Sequence, residues 1–288
     1  MPLVARSFVR EMTRRLRRRL AIVAATRRWR PDHINLVASG HRIYVDPRDP
    51  RGWEIVRGLG RGHQPALIAL WQRINAELRP ALAIDVGANY GEMTLSARYP
   101  AGTRLVAVEP NPKVAALLRR SVSRHPDASR MKVLEAVASD IEGSATLRIP
   151  MGWSGQASVV PLDSPDIQEV SVPAHRLDDQ GPELPDGGTL AIKVDVEGWE
   201  LAVLRGASDL LRRAGTVVVL AEFDPDHLRR AGTDPAELLQ LLESIGRVVS
   251  IARDGAFTPV LTVPTAPTDL LAISDSEAAA RLGLPAAS

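Results

Sequence analysis

Four short apolar runs in this 288-residue chain end in carboxylates, and that pattern is its strongest chemical signal. Residues 81–84 lead into Asp85-Val86-Gly87-Ala88-Asn89-Tyr90-Gly91, with a helix expected from about Glu92. Residues 105–108 lead into Glu109, 18 positions after Gly91. A buried strand ending in an acid, then a glycine-bearing turn and a helix, holds a nucleoside-bearing cofactor at the carboxyl edge of a parallel sheet. The glycines let backbone approach the ligand, and the acid after the second strand takes the two ribose hydroxyls.

Turn spacing narrows the cofactor. Nicotinamide dinucleotides call for G-x-G-x-x-G, whereas three residues separate Gly87 from Gly91 here. Asp85 would also repel a pyrophosphate and attract a cation. S-adenosylmethionine, with its ammonium and sulfonium, meets this description. The plainer alternatives are a turn-forming or helix-capping Asp85 and a surface ion pair for Glu109.

In Leu190-Ala191-Ile192-Lys193-Val194-Asp195-Val196-Glu197, strand alternation puts Lys193, Asp195 and Glu197 on one side. Three charges there are expensive to bury unless they pair or face a ligand. Glu222 ends the next strand at the same rim, with Asp224 just beyond. Asp195, Glu197 and Glu222 are the expected catalytic acids: they orient an acceptor hydroxyl and one takes its proton. A Lys193 ion pair and a helix cap would explain them structurally instead. No histidine stands at ligand spacing beside them, so no metal is assigned. His41 and His175 could reach the pocket but read more readily as surface or packing residues. Trp153, Ser154, Gln156 and Ser158 lie on a loop that either covers the acceptor or merely connects strands.

These residues need a sheet to hold them. The pattern predicts a hairpin at 34–37 and 42–45, a loop over 46–62 rich in Pro, Gly and Arg, and a helix over 66–78 stopped by Pro80. Strands at 81–86, 104–109 and 131–138 then alternate with helices at 92–98 and 112–124, the latter opening on Pro112. An edge hairpin near 144–149 precedes a loop-rich stretch at 150–188. Strand 190–196, helix 198–212, strand 216–222 and helix 234–245 follow, and strands near 247–252 and 269–274 close the sheet antiparallel. Such alternation means an α/β fold with a mostly parallel sheet covered by helices on both faces. The expected organisation is a basic arm (1–33), a hairpin and helix (34–80), a cofactor-binding domain (81–275) and a tail (276–288).

Bulk composition bounds the rest. A hydrophobic fraction of 45% with 24% charged residues suits a globular domain, and no apolar run approaches the ~20 residues that span a bilayer. No cysteine is present, which excludes disulfides and thiolate chemistry. The net charge of +2 is uneven: residues 1–30 hold ten arginines and one acid, leaving the remainder at about −7. Residues 12–29 read as a helix with Met12, Leu16, Leu20 and Val23 on one side. That face could rest on an anionic membrane at the inner surface of a cytoplasmic compartment, although a solvated or docked helix is the plainer reading. The arm also matches a mitochondrial presequence in composition and lacks the apolar core of a secretory signal. No nucleic-acid module is present.

Three stretches together resemble the FkbM-type family of S-adenosylmethionine-dependent methyltransferases. They are Ala83 to Gly91, the run Val106-Ala107-Val108-Glu109-Pro110-Asn111-Pro112, and Lys193-Val194-Asp195-Val196-Glu197-Gly198-Trp199-Glu200-Leu201. Ala138-Ser139-Asp140, Leu177-Asp178-Asp179 and Leu204-Arg205-Gly206-Ala207 fall in the family's order. The resemblance covers roughly residues 34–274 and implies a seven-stranded class I methyltransferase (Rossmann-like) sheet. It implies that Asp85, Gly87, Asn89 and Gly91 face the methionine end of the cofactor and Glu109 its ribose. Asn111 would support that loop, and Ser139 or Asp140 would lie near the adenine. It favours O-methylation of a sugar, glycolipid or polyketide hydroxyl. Ser121, where the family often has asparagine, reads as a helix-surface change, and Arg61-Gly62-His63-Gln64-Pro65 replaces the family's usual stretch before its first helix. A non-catalytic binding module and a nicotinamide-dependent oxidoreductase are the alternatives.

Overall fold

The computed structural model describes residues 16–17, 19–24, 26, 28–151, 153–161, 166–180 and 184–285. Its centre is an eight-stranded sheet in the order β12-β11-β13-β10-β9-β3-β4-β5. The strands are β3 (Leu82–Val86), β4 (Arg104–Val108), β5 (Met131–Leu134), β9 (Thr189–Val194), β10 (Thr216–Phe223), β11 (Arg247–Ile251), β12 (Phe257–Pro259) and β13 (Thr268–Ile273). Only β12 and β13 run against the other six. The sheet therefore has one strand more than the seven expected, the short edge strand β12.

Period-2 alternation decides which side chains meet which helices. Leu82, Ile84 and Val86 join Ile192, Val194 and Val219 in one core, under helices Glu200–Arg205, Ser208–Arg213 and Pro235–Ile245. Ala83, Ala107, Ala191 and Leu220 face the other core, built with helices Pro65–Leu78, Pro112–Val122 and Ser276–Arg281. Each fully buried Leu, Ile or Val stabilises the fold by about 1.5–3 kcal/mol, so a sheet packed on both faces stands as a rigid platform.

Several expectations need correction. Residues 46–62 are not loop throughout: Asp49 caps a helix, Pro50–Arg57, by accepting from the Arg51 N–H. The loop-rich stretch contains β8 (Ile167–His175), which joins β6 (Val137–Ala138) and β7 (Gly143–Pro150) in a separate three-stranded sheet. Residues 131–138 are thus two strands in two sheets. The helix expected over 198–212 breaks at Gly206, whose Cα presses on the Ser139 carbonyl so closely that a Cβ would overlap it. Ser121 is buried, not on the helix surface. Its hydroxyl donates to Leu117 O and accepts the Tyr44 N–H, both at 2.9 Å, tying the β1–β2 hairpin (His33–Asn35 and Arg42–Tyr44) to the sheet. Residues 16–17, 19–24 and 26 are helical, with Leu16 and Leu20 exposed and Ile22 buried, while Met12 lies outside the described residues. Among the described residues, no helix is long and apolar enough to cross a membrane.

Candidate active site

Chain order reverses between β3 and β9: from β3 the chain builds outward to β4 and β5, then returns to the other side. A crevice opens at the carboxyl ends of such neighbouring strands. Here it is a cavity of about 320 Å³, bounded by Gly87–Tyr90, Glu109, residues 136–138, the 153–159 segment, Arg51, the carboxylates after β9 and Glu222 near the end of β10.

Its floor depends on a close approach. Gly87 has φ +76°, and a Cβ there would overlap the Asp195 carbonyl oxygen. Asn89, at φ +50°, tolerates the left-handed region because its short side chain bonds locally, here to the Tyr90 N–H at 2.9 Å. Its backbone N–H donates to one Glu109 oxygen and the Asn111 N–H to the other, each at 2.8 Å. Burial pushes the Glu109 carboxyl up to about 7 against these two bonds. The carboxylate is fixed at the cavity with one lone pair free on each oxygen.

Asp85 does not line the cavity. It is fully buried beneath it, accepting from the Thr94 N–H (3.1 Å) and hydroxyl (2.5 Å), and pairs in register with Lys193, whose Nζ lies 3.6 Å away. Gly91 opens helix Glu92–Ser96 against Leu95 and Leu118, and Asn111 caps helix Pro112–Val122 through the Lys113 N–H. Ser139 donates its N–H to His175 O, and neither it nor Asp140 reaches the cavity; the neighbouring Ala136, Val137 and Ala138 do.

At the opposite end, Lys193 Nζ also lies 3.1 Å from Asp195 Oδ2. Strand β9 stops at Val194, so alternation does not carry Glu197 to its place. A turn with Glu197 at φ +57° does, and Asp195, Glu197 and Glu222 all line the cavity. Burial, then repulsion by Asp195, pushes Glu197 up to about 8, and the same causes push Glu222 far above the carboxylate range. Asp224 turns away to cap helix Pro225–Arg230. That helix, absent from the sequence reading, brings His227 Nδ1 to 3.0 Å from Glu197 Oε2. His41 packs against His125 with the rings tilted and His175 pairs with Glu142, and neither lines the site.

A roof covers the cavity. Ser158 and Arg148 exchange backbone bonds, stitching residues 153–159 to β7. Asp49 fastens the other side: it accepts from the Ser154 N–H (3.1 Å), the Ser154 hydroxyl and the Tyr90 hydroxyl (2.7 Å). Beside it Arg51, paired with Glu92, keeps Nη1 buried without a hydrogen-bond partner. His63 and Gln64, from the stretch that departs from the family's pattern, complete this wall. Sequence reading missed Arg51 because the helix bearing it was read as loop.

A buried carboxyl at one end of the cavity, a glycine floor without a pyrophosphate cradle and an Arg51 donor, whose Nη1 lies 3.9 Å from Glu54 without a hydrogen bond, could hold a nucleoside joined to an amino acid. The family model described as the methyltransferase FkbM domain matches residues 85–249. Methyltransferase sdnD of Sordaria araneosa is 28% identical over 203 residues, covering 60% of this chain and 75% of that protein. Methyltransferase FkbM from Methylobacillus flagellatus KT is 20% identical with a TM-score of 0.40, covering 79% of this chain, which spans 62% of that structure. An O-methyltransferase from Bacillus cereus in complex with SAH is 12% identical with a TM-score of 0.41, covering 74% of this chain and 81% of that one. With the family match running across more than half of its length, the chain belongs to the FkbM family of methyltransferases, and S-adenosylmethionine is its methyl donor.

Proposed function

We propose that the protein methylates a hydroxyl of a small-molecule acceptor, of sugar, glycolipid or polyketide type, bound beneath the 153–159 roof. One observation carries this reading: a single cavity is lined by Glu109 and, further along, by the carboxylates of Asp195, Glu197 and Glu222. S-adenosylmethionine supplies an electrophilic methyl on a sulfonium, so its leaving group is already activated.

The chain's own residues supply grip, alignment and a proton acceptor. Glu109 takes the ribose hydroxyls on its free lone pairs, and the apolar wall at 136–138 with Leu147 receives the adenine. Gly87 and Asn89 pass the backbone beside the methionine end, and Arg51 takes its carboxylate. Asp85, Gly91 and Asn111 hold the loops from behind, with Ser139 and Asp140 behind the adenine wall. Lys193 holds one Asp195 oxygen, leaving the other to accept the acceptor's proton. Alignment in such a site is worth effective molarities of ~10⁵ M or more, and a base adds ~10²–10⁴-fold.

Asp195→Asn tests the assignment. Turnover on a responding hydroxyl acceptor should fall ~10²-fold or more while S-adenosylhomocysteine binds as before. Parallel loss of both would make Asp195 a structural carboxylate. Exposure of Leu16 and Leu20 beside Arg17 and Arg19 supports a lipid-linked acceptor at an anionic membrane face. Co-sedimentation with anionic but not neutral vesicles tests that part.

A further inference from the structure

His227 has no part in the methyl-transfer reading, yet it is built into the rim of the site. One potential ligand atom each from Glu197, Glu222 and His227 lies within 4.8 Å of the others. His227 Nδ1 is 3.0 Å from Glu197 Oε2, but it is buried without a hydrogen-bond partner. Glu222 Oε2 is buried and unpartnered as well. Two polar atoms of different residues thus converge on Glu197 without satisfying one another, at a place where an unmade bond is costly.

Backbone contacts fix this arrangement. Asp224 caps the helix through the N–H groups of Asp226 and His227. Gly198, next to Glu197, sits so close to the His227 carbonyl that a Cβ there would lie 2.5 Å from its oxygen. Lys193 is already shared by Asp85 and Asp195, and Arg230 acts on Glu197 without forming an ion pair with it. Glu197 and Glu222 therefore stand together with Asp195 nearby, and among the described residues neither forms an ion pair with a Lys or Arg.

We propose that Glu197, Glu222 and His227 bind one divalent cation of the Mn²⁺ or Mg²⁺ class, which holds the acceptor's hydroxyl oxygen at this end of the cavity. Two carboxylates match the charge of such an ion and the imidazole gives a third donor. Ligands at ~2.1 Å from a cation and at right angles stand roughly 3 Å apart, the spacing found between Nδ1 and Oε2. Glu197 and Glu222 line the cavity, so the ion's remaining positions open toward the acceptor. A hydroxyl on the ion is polarised and more readily gives its proton to Asp195. Identification of that oxygen rests on the O-methylation reading; the cation site does not.

The test is titration of Mn²⁺ into cofactor-free protein, followed by loss of the free-ion EPR signal. One site of micromolar affinity is expected, weakened ~10-fold or more in both His227→Gln and Glu222→Gln. Retained S-adenosylhomocysteine binding, which needs Glu109 and the glycine floor, checks that both variants fold. Millimolar or weaker binding by the unaltered protein overturns the proposal, as does binding that neither substitution changes. A site lost in both variants, in a protein that methylates no hydroxyl with Mn²⁺ present, would leave the cation standing and remove the O-methylation reading instead.

Discussion

Replacing Gly87 by alanine should break the floor of the site, and the structure says by how much. Residue 87 has φ +76°, a conformation that costs a residue with a Cβ about 1–2 kcal/mol. The new Cβ would also lie 3.0 Å from the Asp195 carbonyl carbon and overlap its oxygen. A carbon atom stands at least ~3 Å from a carbonyl oxygen, so relieving that overlap parts the ends of β3 and β9 by more than about 1 Å. The Asp195 N–H to Val86 O bond, already 3.2 Å long, spans that gap. Losing it between buried strands costs about 1–3 kcal/mol more. Gly102 supplies the control: its φ is +93°, but nothing lies within 4 Å of a Cβ built there. Gly102→Ala should therefore cost only the conformational strain. Urea denaturation of both variants isolates the steric part, with Gly87→Ala the less stable by about 1–3 kcal/mol. Calorimetry should show S-adenosylhomocysteine binding lost in Gly87→Ala alone. Two variants within about 0.5 kcal/mol of each other would refute the close approach.

Arg51→Ala should weaken S-adenosylhomocysteine binding roughly 10–100-fold, as expected for one charge-assisted contact, while leaving 5′-methylthioadenosine, which has no amino-acid end, unaffected in the same calorimeter. Equal losses for both ligands would make Arg51 a brace for the helix. Glu109 titrates near 7, so its ionised fraction, and with it S-adenosylhomocysteine affinity, should rise up to ~10-fold between about pH 6 and about pH 8. Glu109→Gln should flatten that profile. The same raised pKa makes the ligand-free fold most favoured by Glu109 below about 4.5, with that contribution lost as pH rises through about 7. Lys193→Met leaves Asp85 fully buried and unpaired, and should destabilise by about 3–5 kcal/mol in urea titration. Adding Asp85→Asn should recover most of that loss; no recovery would mean that Lys193 serves Asp195 alone.

Much of this architecture was legible because buried strands are continuous apolar runs. Residues 81–86, 104–109 and 216–222 were placed to within a residue or two, and the acids that end them mark the crevice. What escaped was mostly announced by a signal read only once. Pro112 marks a helix start in the sequence, yet Pro50 and Pro225 stand at the first helical position in the same way, behind the capping Asp49 and Asp224. Those two helices bear Arg51 and His227. Strand β8 also showed alternation at Val170, Val172 and Ala174, obscured by Pro173 and the surrounding loops. Glu197 reached the cavity for a reason alternation could not give, since its place depends on a left-handed turn after the strand has ended. The burial of Ser121 came from tertiary contact with Tyr44, 77 residues away, which no local pattern encodes.

Asp49 joins the start of one helix, the Tyr90 hydroxyl beside the glycine floor and Ser154 in the roof through a single carboxylate. Lifting the roof breaks both Ser154 bonds to Asp49, while the helix cap and the Tyr90 hydroxyl hold that carboxylate in place for the roof to return to. Entry of fresh cofactor and departure of spent cofactor beneath the roof would then both work against the Ser154–Asp49 bonds. An enzyme with a looser fastening, such as Asp49→Asn, would bind its cofactor more weakly and release it faster.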